Sequence, residues 1–536
     1  MPDHRHVILI TDPLAPEGLA VFETEPRFDL RYKPGLKGQE LKSEIGQAHA
    51  LVVRSGTQVT ADLLQAATHL KIVGRAGTGV DNIDVPAATK QGVVVVNTPG
   101  GNSIAACEHT FALLLALLRN IPQATSHLMQ GGWDRKQFTG HQLAGKALGL
   151  IGFGRIGREV AVRARAFGMH ILVADPFVTE SLAKEWEARL VDSDTLLAEA
   201  DIVSLHLPLT PETRNLIDAK AITRMKTGAI LLNCARGGLI DEAALLDALE
   251  KQKLAGAALD VFAEEPPTNS PLLKHPRVVA TPHLGASTEE AQRDVAGEVA
   301  EEIRDYLLRG EVRNAVNMPS LSADAYAQVK PYLDLAERLG ALAGQIVDES
   351  FQRLEVIFRG EATSLPRPPI VSAALVGLLG SAKGGSVVNY VNARLAASEA
   401  GLNVQDTSRD DSGDHPGLIE IVLNGRQGSS SVAGWITAAG KPRLARWEGL
   451  GLDAPPAGDI LVLRNPDVPG VVGAIGTLLG EAEVNIAHIA WGRDPASKEA
   501  FTLINLDNAV SPNLLRTICQ HPKVLWAKAI RLPAAS

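Results

Sequence analysis

Along residues 7–96, short apolar runs alternate with stretches of helical period. Residues 7–10, 50–53, 70–73 and 93–96 are almost continuously apolar and end at Gly, Asn, Arg or Thr, the pattern of strands buried on both faces. A long apolar helix over 105–118 follows, with Asn102 or Ser103 expected as its cap. A second alternating series then runs from 147 to 281, with strands expected at 147–151, 171–174, 202–205, 229–232 and 257–260. Two such series predict two open, mostly parallel sheets with helices on both faces.

The rhythm stops near residue 312. A joint at 318–322 leads to a helical stretch over 325–346 and a strand at 354–358. A charged stretch at 409–416 reads as an exposed loop, and 418–423 and 430–437 as further strands. The basic run 441–446 reads as a solvated rim, and 454–458 as a second linker. The last segment reads strand, helix, strand, strand, helix, strand, a split βαβ order.

Composition narrows the function. The chain has 536 residues, 45% hydrophobic and 21% charged, which is the make-up of a folded protein. With 52 Lys+Arg against 61 Asp+Glu the net charge is −9, which disfavours a broad nucleic-acid face but leaves room for small cationic pockets. The longest apolar stretches, 111–118 and 370–380, fall short of the roughly 18 residues of a membrane span. The three cysteines, Cys107, Cys234 and Cys519, fit neither a disulfide framework nor a zinc signature. The fourteen histidines have no metal-ligand spacing, so no metal is expected. A reducing, cytoplasmic setting is the expectation.

Gly152-Phe153-Gly154-Arg155-Ile156-Gly157 matches the dinucleotide fingerprint. It follows an expected strand, opens an expected helix, and precedes a second strand ending at Asp175. The glycines allow a tight turn and close backbone approach, while the helix N-terminus offers amides to a pyrophosphate. Asp175 would accept the ribose hydroxyls and repel a 2′-phosphate, so NAD is favoured over NADP.

Further motifs follow in order: Asn233-Cys234-Ala235-Arg236-Gly237, residues 259–266 reading LDVFAEEP, and residues 281–288 reading TPHLGAST. With the upstream segments 53–57 (VRSGT) and 74–84 (GRAGTGVDNID), the chain resembles the D-isomer-specific 2-hydroxyacid dehydrogenase family, in particular its phosphoglycerate-oxidising long form. The resemblance spans essentially the whole chain. It implies an α/β chain with two Rossmann-like, doubly wound parallel-sheet domains, one inserted in the other. A substrate-binding domain (1–98 and 288–317) would enclose an NAD-binding domain (99–287). An α+β intervening domain (318–454) and a ferredoxin-like ACT regulatory domain (458–536) would follow.

The resemblance also implies the chemistry. Oxidising a secondary alcohol needs a base for the hydroxyl proton while hydride leaves for nicotinamide. His283 would be that base, Glu265 its partner, and Arg236 the grip on the substrate carboxylate. Which of Glu264 and Glu265 points inward follows only from the family pattern. Arg54, Ser55, Gly56, Arg75 and Asn102 would line the substrate site, with Arg135 contributed by a neighbouring subunit. Thr78, Arg155, Ile156, Cys234, Asp260 and Gly285 would join the glycines and Asp175 around the cofactor. Cys234 is expected to have no redox role. Leu207 stands where some members carry a threonine, so that cofactor contact would be made by backbone or not at all.

The implied reaction is NAD-dependent oxidation of 3-phospho-D-glycerate, the first step of phosphorylated L-serine synthesis, with 2-oxoglutarate reduction as a side activity. The implied assembly is a homotetramer. Asp467 and Asn485 occupy positions that commonly clasp an effector, L-serine, between paired ACT domains, although Asn465 replaces an aromatic residue of some sensitive relatives. The alternatives are reduction of another 2-hydroxyacid partner, glyoxylate or hydroxypyruvate, and an NAD-sensing binding protein on the same scaffold.

Overall fold

The computed structural model describes residues 5–319, 323–347, 351–380, 388–411, 413–425, 428–494 and 496–533. The end of the expected 318–322 joint, residues 320–322, lies outside them, as does Ser412 of the expected 409–416 loop. Among the described residues the strands form four sheets.

The first sheet contains β1 (His6–Ile10), β2 (Phe28–Tyr32), β3 (Ala50–Val53), β4 (Ile72–Arg75) and β5 (Val94–Asn97), all parallel, in the order β2-β1-β3-β4-β5. Both faces are covered, which is why β3 is buried at every residue. The helix Glu289–Arg309 returns from far along the chain to close one face. There, side chains of Val299 and Ile303 press on Gly74, and Gly18 packs on the backbone of Ala296.

The second sheet comprises β6 (Ala147–Ile151), β7 (His170–Ala174), β8 (Arg189–Leu190), β9 (Ile202–Leu205), β10 (Ala229–Asn233), β11 (Leu254–Leu259) and β12 (Val278–Ala280). It too is parallel, in the order β12-β11-β10-β9-β6-β7-β8. The order reverses at β6, and ligands of open α/β sheets bind outside the strand ends at such a reversal. The helix Ser103–Leu118 packs Cys107, Phe111 and Leu114 into this sheet's core. Its expected cap is not made. Asn102 accepts a hydrogen bond from Thr78 instead, and the Ser103 hydroxyl is buried without a partner. Asn102 is therefore spent on a contact across the chain crossing rather than on the helix end.

The third sheet is mixed: β13 (Phe351–Gly360), β14 (Asn403–Arg409), β15 (Gly417–Gly425), β16 (Ser429–Ile436), β17 (Pro442–Trp447) and β18 (Leu450–Ala454), in the order β14-β13-β15-β16-β17-β18. The helices Ala323–Ile346 and Arg367–Gly380 pack against each other at Gly340, Gly344 and Gly377, where an added Cβ would strike the facing backbone. One loop reading and one rim reading are corrected here. Arg409 ends a strand, and the basic run 441–446 lies largely in β17, with Leu444 and Ala445 buried and Arg443 paired to Asp453. Leu444, Ala445 and Trp447 are buried while Arg443 and Arg446 stay partly exposed, so the apolar residues rather than the cations place this run in the sheet.

The fourth sheet is antiparallel at every pairing: β19 (Gly458–Pro466), β20 (Ile486–Asp494), β21 (Glu499–Leu506) and β22 (Trp526–Leu532), arranged β20-β21-β19-β22. The helices Val471–Glu481 and Pro512–Cys519 cover one face. No single described helix is long and apolar enough to cross a membrane.

Candidate active site

The glycine turn joins β6 to the helix Arg155–Ala166, and each glycine has its own reason. Gly152 has φ +92, and a Cβ there would lie 2.4 Å from the His206 carbonyl oxygen. At Gly157 a Cβ would lie 2.5 Å from the Gly152 oxygen, so strand and helix pack at contact distance. Gly154 caps the helix and has nothing within 4 Å, leaving open space before the helix N-terminus. Asp175, just past β7, accepts the Phe153 N–H at 2.7 Å and the Phe177 N–H at 2.8 Å. Each of its oxygens retains acceptor capacity for a ribose hydroxyl. Turn, open amide end and carboxylate together fit a dinucleotide. Arg155 and Ile156 begin the helix, the arginine reaching toward Gly100 where the chain crosses between the sheets.

Arg236, Glu265 and His283 follow β10, β11 and β12, three adjacent parallel strands of that sheet. His283 donates from Nδ1 to Glu265 Oε2 at 2.9 Å, and Glu265 Oε1 accepts the Phe262 N–H at 3.1 Å. Gly237, beside Arg236, lies so close to the Phe262 carbonyl that a Cβ would be 1.7 Å from its oxygen. One strip of backbone thus joins the three groups. Both acids are exposed, but Glu264 makes no such contact, so Glu265 is the carboxylate that meets His283. Because the Glu265 contact occupies Nδ1 with a proton, His283 Nε2 is left with its lone pair toward solvent.

Arg236 Nε donates to Asp81 Oδ2 at 2.8 Å, while Gly79 leaves room for the rest of the guanidinium. Arg75 ends β4 and Arg54 follows β3, so the first sheet's strand ends supply two further cations. Burial, then the charges of Arg236 and Arg54, pull Arg75 down to about 10. Its Nε is buried with no partner. Three arginines against Asp81 and Asp12, one of them with an orphaned donor, leave a net cationic site. Ser55 and Gly56 form the exposed turn after Arg54. Asp12 holds that turn, accepting the backbone N–H groups of Arg54 at 2.6 Å and Thr57 at 3.1 Å.

Of the remaining residues, Thr78, Cys234, Asp260 and Gly285 lie in the loops after β4, β10, β11 and β12, and Arg135, Asp467 and Asn485 lie elsewhere. Thr78 bonds Asn102 at 2.7 Å. Burial pushes the Cys234 thiol up to about 12, so it stays a protonated, inert group. Asp260 is 1% exposed and accepts Leu284 N–H at 2.7 Å, Gly285 N–H at 2.8 Å and Thr281 Oγ1 at 2.6 Å. It also takes His109 Nε2 at 3.1 Å. Burial raises its carboxyl, but hydrogen bonds from His109, Thr281 and Leu284 outweigh that and hold it below the usual range. The clamp shapes the loop on which His283 sits at φ +54, a conformation L-residues seldom adopt.

Arg135 stands exposed in the loop after the helix Ile121–Met129, beside exposed Met129 and Trp133. Asp467 and Asn485 are not brought together within the chain. Asp467 follows β19 where Pro466 pairs Glu499, whereas Asn485 precedes β20 where Ile486 pairs Leu506, at the opposite end of the sheet. Asp467 pairs with Arg493 and Asn485 with Asp507. Asn465 is buried and accepts the Thr502 hydroxyl at 2.9 Å.

Asp12, Asp81 and His109 escaped the sequence reading. Asp12 closes an apolar strand just before a proline, and His109 interrupts the apolar run of a core helix, so each left a local trace. Asp81 left none beyond its place in the 74–84 segment.

Residues 111–285 match the family model for the D-isomer specific 2-hydroxyacid dehydrogenase NAD binding domain. Residues 328–447 match the D-3-phosphoglycerate dehydrogenase intervening domain, and 460–522 the ACT domain. The chain is 42% identical to a D-3-phosphoglycerate dehydrogenase of Synechocystis sp., over 98% of this chain and 94% of that one. It is also 42% identical to one of Methanocaldococcus jannaschii, over 98% and 99%. Among solved structures, a glyoxylate reductase from Paecilomyes thermophila is 32% identical with a TM-score of 0.54, covering 59% of this chain and 99% of that one. A D-lactate dehydrogenase from Aquifex aeolicus complexed with NAD and lactic acid is 27% identical with a TM-score of 0.53, covering 59% and 100%.

Proposed function

The chain belongs to the D-3-phosphoglycerate dehydrogenases, and from that premise we propose how its own residues divide the oxidation of 3-phospho-D-glycerate to 3-phosphohydroxypyruvate. NAD, when bound at the glycine turn, supplies the acceptor for the hydride leaving C2. Gly152, Gly154 and Gly157 with the helix N-terminus hold its pyrophosphate, and Asp175 its ribose. Thr78, Arg155, Ile156, Cys234, Asp260 and Gly285 line the rest of that site.

Arg236 grips the substrate carboxylate with its planar fork and polarises the developing carbonyl. His283 Nε2 takes the hydroxyl proton, and Glu265 keeps the ring in the tautomer that leaves Nε2 free. The observation that carries this division is the 2.9 Å contact between Glu265 and His283, made from two neighbouring strand ends with Arg236 on the third. Arg54 and Arg75, with Ser55, Gly56 and Asn102, receive the phosphate end. Arg135 completes it from a second copy, in a homotetramer whose contacts include the exposed Met129–Trp133 surface. The same cations would accept 2-oxoglutarate in the reductive direction.

Residues 1–98 and 288–317 are assigned to substrate binding, 99–287 to NAD binding, 318–454 to the intervening domain and 458–536 to the ACT domain. The ACT domain belongs to a class that binds regulatory small molecules. L-Serine is the effector proposed here, held by Asp467 of one chain and Asn485 of another, because one chain alone keeps these residues apart. The chain is placed in the cytoplasm.

NADH formation from 3-phosphoglycerate and from glycerate, with and without L-serine, tests the assignment. Turnover should require the phosphate and fall with L-serine. His283→Ala should lower kcat at least ~100-fold, the usual scale for lost acid–base assistance. Equal rates on glycerate, or near-normal turnover in His283→Ala, would refute the respective role.

A further inference from the structure

A cavity of about 260 Å³ lies away from the catalytic crevice, where the first sheet's half of the molecule meets the helices of the third. One wall is a single face of the helix Ala323–Ile346. Tyr326, Lys330, Asp334 and Glu337 recur along it at spacings of four, four and three residues and so point the same way. The charges along this face run plus, minus, minus. The opposite wall is apolar and includes Val94, Val312 and Val391.

The charged groups are only partly engaged. Asp334 accepts Arg338 Nε with Oδ1 at 2.9 Å, and Glu337 accepts the Tyr390 hydroxyl with Oε2 at 2.6 Å. Burial and the adjacent Glu337 push the Tyr390 hydroxyl up, so it remains a donor to that carboxylate. The second oxygen of each acid is unengaged among the described residues, as are the Lys330 ammonium and the hydroxyls of Tyr306 and Tyr326.

We propose that this cavity is a second small-molecule site, which takes an α-amino acid with an apolar side chain. Its ammonium sits on Glu337 and Asp334, and its carboxylate on Lys330 at the mouth. Its side chain lies against the valine wall, where transfer from water favours an apolar group. Two carboxylates facing one ammonium exclude the phosphorylated substrate, so the site is no overflow of the active site. The joint it occupies is held by Asn389, which donates to the Gly92 carbonyl at 2.8 Å across the two halves. An occupant therefore bears on how the regulatory half meets the catalytic one.

Calorimetric titration of the full chain with L-leucine and L-phenylalanine tests the proposal, with isoamylamine as an ammonium that lacks the carboxylate. At least one amino acid should bind in the millimolar range or tighter, and isoamylamine more weakly. Lys330→Glu, at an exposed position that leaves the fold intact, should weaken binding about tenfold or more, the scale of one charge-assisted hydrogen bond. Val391→Phe should block the site while NADH formation without amino acid stays unchanged. Absence of heat with both amino acids, equal binding of isoamylamine, or unaltered binding in Lys330→Glu would each overturn it. L-Serine titrated into Lys330→Glu separates this site from the ACT module, since serine binding there should not change. If it weakens in step with L-leucine, the two are one site and the proposal fails.

Discussion

At the residue scale, catalysis rests on groups whose neighbours leave them one task. His283 has its Nδ1 committed to Glu265, and its unusual backbone angle is imposed by the loop that Asp260 clamps. On the proposed roles, Asp260 is therefore a positioning residue for the base. Replacing it by Ala would free the loop and leave two backbone N–H groups unpaired. Asp260→Ala is expected to lower kcat about 100-fold, the cost of a roughly 1 Å misplacement of a reacting group. Steady-state kinetics with NADH fluorescence titration checks this: kcat should fall far more than NADH affinity. Parental kcat would show that the clamp has no bearing on His283.

At the element scale, the strand-to-helix turn separates what glycine does for folding from what it does for binding. Gly152 needs its positive φ and its contact with His206, so Gly152→Ala should lower the melting temperature or yield no folded protein. Gly154 has φ −70 and open space, so Gly154→Ala should melt like the parent. Its new methyl would stand where backbone must approach the pyrophosphate, and NADH affinity should drop on the order of tenfold. Unchanged NADH affinity in Gly154→Ala would place the pyrophosphate elsewhere.

At the scale of the whole molecule, burial of titratable groups sets opposing pH trends. Burial, with help from Lys71 and Arg27, lowers His6; His49, 5.3 Å from it between ring centres, is lowered by burial, His6, Lys71 and His69. Burial pulls His206 down to about 4. Imidazoles lowered in the folded state bind protons more readily once unfolded. Their contribution is full above about pH 6.5 and is lost as the pH falls from there through the folded values, about 4 for His206. Glu302 has the opposite sign. Burial pushes it up to about 7, and its Oε2 has no partner. The folded chain keeps that proton, so its contribution is full below the ordinary carboxylate range and is lost as the pH rises through about 7. Glu302→Gln should therefore melt higher than the parent near pH 8 and match it near pH 5. Thermal denaturation at both pH values checks this, and a lower melting point for the variant near pH 8 would show that the ionised form is accommodated.

The elements and the crevice were legible in the sequence for a local reason. Side-chain period, turn residues and the spacing of glycines act over a few residues, so strands such as 50–53 and 147–151, the dinucleotide turn and the three strand-end motifs could be read directly. Even there, charge misled at 441–446, where buried Leu444 and Ala445 place the run in a strand, and Asn102 was drawn from a helix cap to Thr78 by a partner 24 residues upstream. Other features were decided by the order in which the strands lie. Adjacency of β10, β11 and β12 brings Arg236, Glu265 and His283 to one strip. The return of 289–309 closes the first sheet, and the joint of two halves encloses the cavity beside Lys330. These depend on contacts between residues tens of positions apart in the first case and more than two hundred in the other two, and no local period encodes such distances.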